Sequence, residues 1–115
     1  MKDKMIEQLQ AYVQENKLHE KAIEDFWFAF NNWKKDFPKS YKKAFKDFSI
    51  DDCDIFVHSI GLRSSQWPDC NFNHVTVGIL IHHESCNGHV REVGNYRVFY
   101  SLSDDVDDDD MFEIL

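Results

Sequence analysis

The chain has 115 residues, 43% of them hydrophobic, with ten Phe, four Tyr, three Trp and a formal net charge of −8. That is enough apolar material for one packed domain spanning residues 1–115, and it excludes an intrinsically disordered chain. The acidic balance argues against binding to duplex nucleic acid or an anionic membrane, since like charges repel over a Debye length of about 8 Å.

The charge is unevenly distributed. Residues 1–47 carry ten lysines against eight acids, whereas residues 48–115 carry three arginines against thirteen acids, six of them aspartates between Asp104 and Asp110. The N-terminus lacks the apolar centre and small-residue cleavage site of a secretory signal, and the longest apolar run, Val75 to Ile81, falls far short of the about 20 residues of a membrane-spanning helix. A cytoplasmic protein is expected. Cys53, Cys70 and Cys86 are odd in number and widely spaced, which points to reduced thiols instead of a disulfide framework.

In chain order, Met5, Ile6, Leu9, Tyr12 and Val13 recur at helical spacing and predict a first helix over residues 2–16. After the polar break Glu15-Asn16-Lys17, a heavier stripe of Ala22, Ile23, Phe26, Trp27, Phe30, Trp33 and Phe37 predicts a second helix that supplies most of the core. Pro38 ends it, and Ser40 is placed to cap a short third helix burying Tyr41, Ala44, Phe45 and Phe48. From Ser49 the periodicity changes to that of strands.

Asp54 to Ile60 reads as a strand, followed by a loop from Gly61 to Asp69. Asn73 to His83 is the clearest strand, with Val75, Val77, Ile79 and Ile81 on one face and His74, Thr76, Gly78, Leu80 and His82 on the other. Asn87-Gly88 predicts a turn into a returning strand over Val90 to Leu102. The alternation there breaks at Gly94-Asn95, so a bulge or second tight turn is expected, dividing the strand into Val90–Val93 and Tyr96–Leu102. The apolar ending Met111, Phe112, Ile114 and Leu115 predicts that the chain returns to the body after its acidic run. The fold class is therefore α+β: a helical segment 1–48 of two to three helices packed on one face of a mostly antiparallel sheet of three to five strands, formed by a strand-rich segment 49–115.

Cys70, His74, His82, His83, Cys86 and His89 are the residue types that zinc prefers. Their spacing does not form two close-set ligand pairs, and His74 and His82, eight residues apart on one strand, are separated by about 26 Å. No metal or other cofactor is expected. His58, Ser59, Ser64 and Ser65 provide ingredients for nucleophilic catalysis without a nucleophile elbow, a triad signature or a phosphate-binding glycine loop. The chain is accordingly read as no enzyme, with no catalytic residues. A small metal protein or enzyme using His58, His74, His82 and Cys86 is the alternative, and a self-associating structural or regulatory subunit is a further one. The basic stretch Lys34, Lys35, Lys39, Lys42, Lys43 and Lys46, interleaved with Trp33, Phe37, Tyr41 and Phe45, is read as a solvated helix face near the acidic second half, not as a nucleic-acid site.

The aspartate run lacks the glycine and terminal glutamate of a calcium loop. Its carboxylates are instead bidentate acceptors for Arg and charge partners for Lys, and a row of them imitates a phosphate backbone before a basic cleft. The expected partner-binding surface comprises Asp104, Asp105, Asp107, Asp108, Asp109 and Asp110, with Trp67, Tyr96, Tyr100 and Phe112 as apolar anchors and Asp51, Asp52 and Asp54 as additional charge.

A short acidic α+β chain with aromatic-rich N-terminal helices, a Gly94-Asn95-Tyr96-Arg97-Val98-Phe99-Tyr100 strand and an Asp109-Asp110-Met111-Phe112 ending resembles the small immunity proteins of bacterial toxin systems, including those of contact-dependent growth inhibition. The resemblance implies binding to the toxic C-terminal domain of a cognate effector, often a nuclease, and blockage of its active site or substrate path.

Overall fold

The computed structural model describes residues 2–69, 72–84, 88–104 and 106–115. The helical periodicity of the first third becomes α1 (Lys2–Glu15), α2 (Leu18–Asp36) and α3 (Pro38–Ala44). A single 3-10 turn, Ile50–Asp52, leads into four strands: β1 (Asp54–Ser65), β2 (Phe72–Glu84), β3 (Val90–Ser101) and β4 (Asp109–Ile114). Every strand pairs antiparallel with its neighbour in sequence, giving a sheet of order β1-β2-β3-β4. The α+β class with helices against an antiparallel sheet is therefore the architecture.

The stripe on α2 and the alternation of β2 meet directly. Ala22, Phe26 and Phe30 are buried against Val75, Val77, Ile79 and Ile81 of β2 and Tyr96, Val98 and Tyr100 of β3. Phe26 is fully buried, and its ring lies 6.0 Å from Phe30, 6.0 Å from Tyr96 in an edge-on contact and 6.2 Å from Phe112. Such offset and edge-on arrangements are the favourable ones for aromatic quadrupoles. Phe112 and Ile114 arrive from β4 and pack against the core, so the ending returns to the body as its sequence predicts, while Met111 and Leu115 remain exposed.

Local departures from the sequence reading have physical causes. The break between α1 and α2 falls where Lys17 adopts a left-handed conformation at φ 52° and ψ 41°, while the Asn16 side-chain amide donates to the Tyr12 carbonyl at 2.9 Å. α1 uses only Leu9 and Val13 of its stripe against the body; Met5, Ile6 and Tyr12 are exposed. α3 begins at Pro38 and not after a Ser40 cap, because proline, with its fixed φ and missing N–H, fits the first turn of a helix. None of its residues is fully buried; Tyr41, Ala44, Phe45 and Phe48 are half-buried.

β1 continues to Ser65 instead of ending at Ile60, since Gly61, Leu62 and Arg63 find ladder partners in Thr76, Val75 and His74. The shift of register between Val57 and Ser59 keeps Ile55, Val57 and Ile60 on the helix-facing side. β3 is likewise one strand, not two. A register shift opposite Ile81 and His82 absorbs the broken alternation, leaving both Val93 and Gly94 buried. Asn87 of the expected turn lies outside the described residues, while Gly88 has φ +76°, in the region that favours glycine.

Candidate functional site: the acidic end of the sheet

The meander places the β1–β2 and β3–β4 connections at the same end of the sheet, because β1 ends opposite the start of β2 and β3 ends opposite the start of β4. Trp67 and the aspartate run therefore share that end. Asp51, Asp52 and Asp54 do not: Asp54 pairs with His82 at the far end, and Asp52 accepts from the Ser49 backbone N–H at 3.0 Å in a capping box. The additional charge expected from those three residues is absent from this surface.

The run itself is held in place. Asp108 accepts a hydrogen bond from the Ser101 backbone N–H at 2.7 Å, and its second oxygen lies 3.9 Å from Lys21 Nζ, with both side chains about half exposed. Asp109 and Asp110 open β4 opposite Phe99 and Val98. The Tyr96 hydroxyl donates to Asp110 at 2.9 Å, and the Tyr100 hydroxyl donates to Asp25 of α2 at 2.6 Å. Lys21, one helical turn before Asp25, rests 4.7 Å above the Tyr100 ring. Together these groups line a cleft of ≈ 300 Å³ between α2 and the β3–β4 edge. Among the described residues, the carboxylates of Asp25, Asp108, Asp109 and Asp110 face it, with Lys21 as the only cation.

Asp104 and Asp107 are exposed, and Asp105 lies outside the described residues. The apolar anchors are redistributed. Tyr96 and Tyr100 are buried and Phe112 packs among Phe26, Phe30 and Trp33, so these three stabilise the body and present only the two tyrosine hydroxyls to the acidic end. Trp67 is 73% exposed in the β1–β2 connection, and Phe28, on the rim of the cleft, is 72% exposed. Phe28 was legible in principle: it falls out of phase with the α2 stripe, where a large apolar side chain has no core to enter. Lys21 and Asp25 give no such signal, since any polar helix face looks alike before the sheet is docked.

Burial, then the hydrogen bond to Asp110 and nearby negative charge, pushes the Tyr96 hydroxyl far above the ordinary tyrosine range; burial and Asp25 do the same for Tyr100. The folded state thus holds protons that the unfolded chain releases from about pH 10 upward. With more protons bound when folded, stability is full below that pH and falls as pH rises above it, by at most about 1.4 kcal/mol per pH unit for each tyrosine. The urea midpoint should decline above pH 10 in the parent and decline less in Tyr96→Phe and Tyr100→Phe; equal slopes in all three would contradict these contacts.

A second cleft, of ≈ 650 Å³, opens on the other face of the same end and shares Asp108 and Asp109 with the first. Its base is unusual. Phe99 is buried beneath the Arg63 guanidinium, which lies 4.4 Å from the ring centroid. His74 is 7% exposed, 6.4 Å from Phe99, and among the described residues neither of its ring nitrogens has a hydrogen-bond partner. A buried polar atom without a partner costs roughly 1–3 kcal/mol. His74→Phe, which removes both orphaned nitrogens and keeps the edge-on ring contact, should stabilise the fold by about 1 kcal/mol in urea denaturation. Destabilisation would mean that the imidazole has a partner in solution.

The remaining chemistry-bearing side chains are dispersed. His58 is exposed at the β1 bulge, His82 sits edge-on to Phe56 at 5.1 Å, and His83 stacks on Phe48 at 4.2 Å on the opposite face of β2. Cys70 and Cys86 lie outside the described residues, and among the described residues no three His, Cys, Asp or Glu side chains converge as metal ligands. Burial and then the Asp52 and Asp54 carboxylates push the Cys53 thiol up, which disfavours the nucleophilic thiolate. Among the described residues no helix is long and apolar enough to cross a membrane. Comparison of the chain with family models, curated proteins and solved structures finds no match.

Proposed function

We propose that this chain is a stoichiometric inhibitor of the immunity type, which binds a basic toxin domain, such as a nuclease, through the acidic end of its sheet in the cytoplasm. The observation that carries this reading is the convergence of Asp25 with Asp107 to Asp110 at one end of the molecule, on a surface whose rim includes the exposed Phe28. Carboxylates fixed by Tyr96, Tyr100 and the Ser101 backbone are preorganised acceptors for the arginines and lysines with which a nuclease holds phosphate. Occupying those groups excludes the substrate. Charge of this kind sets association rate and selectivity, and exposed aromatics such as Phe28 and Trp67 supply the desolvated contacts that slow dissociation.

The test is co-purification with the product of the gene immediately upstream at low and high salt. A one-to-one complex that weakens with salt is expected. Replacing Asp107, Asp108, Asp109 and Asp110 by Asn should slow association by about tenfold or more and flatten its salt dependence, while Phe28→Ala should mainly accelerate dissociation. A variant with all four aspartates neutralised that binds and protects as well as the parent would refute the proposed surface.

A further inference from the structure

At the opposite end of the sheet lies a cleft of the reverse character, ≈ 600 Å³ in volume, between α3 and the ends of β3 and β4. Its floor is apolar, formed by Trp33 of α2 with Phe112 and Ile114 of β4. Its rim carries Lys43 and Lys46 from the α3 segment and Arg91 from the start of β3. Among the described residues, Asp47 is the only acidic side chain that lines it. Neither lysine nor Arg91 has an ion-pair partner among the described residues; the one ion pair there is Lys21 with Asp108, at the other end. The lysines of this helix face are exposed as expected, and Lys43 and Lys46 lie beside residues of the second half of the chain, though at the end away from the aspartate run.

Two features make this more than a solvated basic patch. The cations come from two elements distant in sequence and surround one concavity, whereas a solvated helix face spreads its lysines outward. Below them is aromatic and aliphatic surface, and the Arg91 guanidinium is oriented over Phe48 at 5.8 Å from the ring centroid. A cleft of this size with an apolar base and a few convergent charges has the construction of a small-molecule site. Inorganic anions would leave the floor uncovered, and duplex nucleic acid would meet the repulsion of a chain of net charge −8.

We infer that this cleft binds a small amphipathic anion, a carboxylate on an aromatic or aliphatic body, with the head between Lys43, Lys46 and Arg91 and the body over Trp33, Phe112 and Ile114. The site is independent of the inhibitor reading, since it shares no residue with the acidic end. A guanidinium and two ammonium groups provide charge-assisted donors to the head, and burial of the body adds the apolar contribution. Ligand contact with Trp33 gives a direct spectroscopic readout.

The full chain is titrated by calorimetry and tryptophan fluorescence with 1-naphthoate and with decanoate, which separate an aromatic from an aliphatic body. Neutral 1-naphthamide and inorganic phosphate are the controls. At least one carboxylate should bind tenfold or more tightly than either control and change the emission of the parent but not of Trp33→Phe. The triple variant Lys43→Gln, Lys46→Gln, Arg91→Gln should lose tenfold or more in that affinity while retaining the parent's urea midpoint, since all three side chains are exposed. Failure of both carboxylates to bind at millimolar concentration, equal binding of the neutral amide, or unchanged affinity in the triple variant would each overturn the inference.

Discussion

Phe26→Ala should destabilise the protein by about 3–5 kcal/mol, the range for removing a buried phenylalanine ring. A domain of this size has only about 5–15 kcal/mol in total, so the variant is expected to be largely unfolded at modest urea. The reason is the position of the ring. Fully buried, it touches Phe30 and Trp27 within its own helix, Tyr96 of β3 and Phe112 of β4. It therefore joins the helical layer to the two strands that carry the acidic end. Phe28→Ala, only two positions away but 72% exposed, should change the stability by no more than about 0.5 kcal/mol. Urea denaturation followed by tryptophan fluorescence measures both. Similar losses at the two positions would mean that α2 is rotated from the orientation described.

The second large effect is expected at Gly94. A side chain there would collide with the Glu113 carbonyl oxygen and come within 2.9 Å of Ile114 Cδ1 and 3.3 Å of Ile114 Cα. Gly94 pairs with Ile114 across the β3–β4 ladder, so the obstacle is backbone that cannot rotate away. Gly94→Val should cost about 2–3 kcal/mol and displace the end of β4, weakening the Tyr96–Asp110 contact at its start. Hydrogen exchange should show lost protection in residues 109–114 with β1 and β2 less affected. Gly78→Ala is the informative comparison. A Cβ there meets chiefly the Ser59 hydroxyl, a side chain that can turn aside, and the cost should be well below that of Gly94→Val. Equal effects at the two glycines would argue that close backbone approach is not what Gly94 provides.

The Gly94 result bears on the acidic end because β4 is an edge strand whose charges serve two roles. Asp109, Asp110 and Glu113, on a strand of six residues, discourage pairing with a further strand, and Asp109 and Asp110 also belong to the carboxylate surface. Under the proposed inhibitor function, detaching β4 should therefore impair partner binding through loss of geometry even with every aspartate present. Neutralising the aspartates should impair binding with β4 intact. Comparing the two variants separates the charge of this surface from its preorganisation.

Much of this protein was determined by sequence pattern alone. The stripe Ala22, Phe26, Phe30 and Trp33 can be buried only as a helix, and the alternation of Val75, Val77, Ile79 and Ile81 only as a strand, because periods of about 3.6 and 2 place those residues on one face in no other way. The apolar ending after the aspartates similarly required a return to the core. Strand limits were not determined locally: Gly61 to Ser65 have no marked strand pattern and extend because β2 offers them partners. The site was divided in the same manner. The aspartate run identified the acidic end, but whether Tyr96 and Tyr100 face a partner or the core depends on which face of β3 meets α2. Asp25, Lys21 and Phe28 joined that surface, and Lys43, Lys46 and Arg91 gathered at the other end, only through packing. Charge and periodicity are properties of neighbours along the chain, whereas a cleft is made by residues far apart in it, and only tertiary structure decides which of those meet.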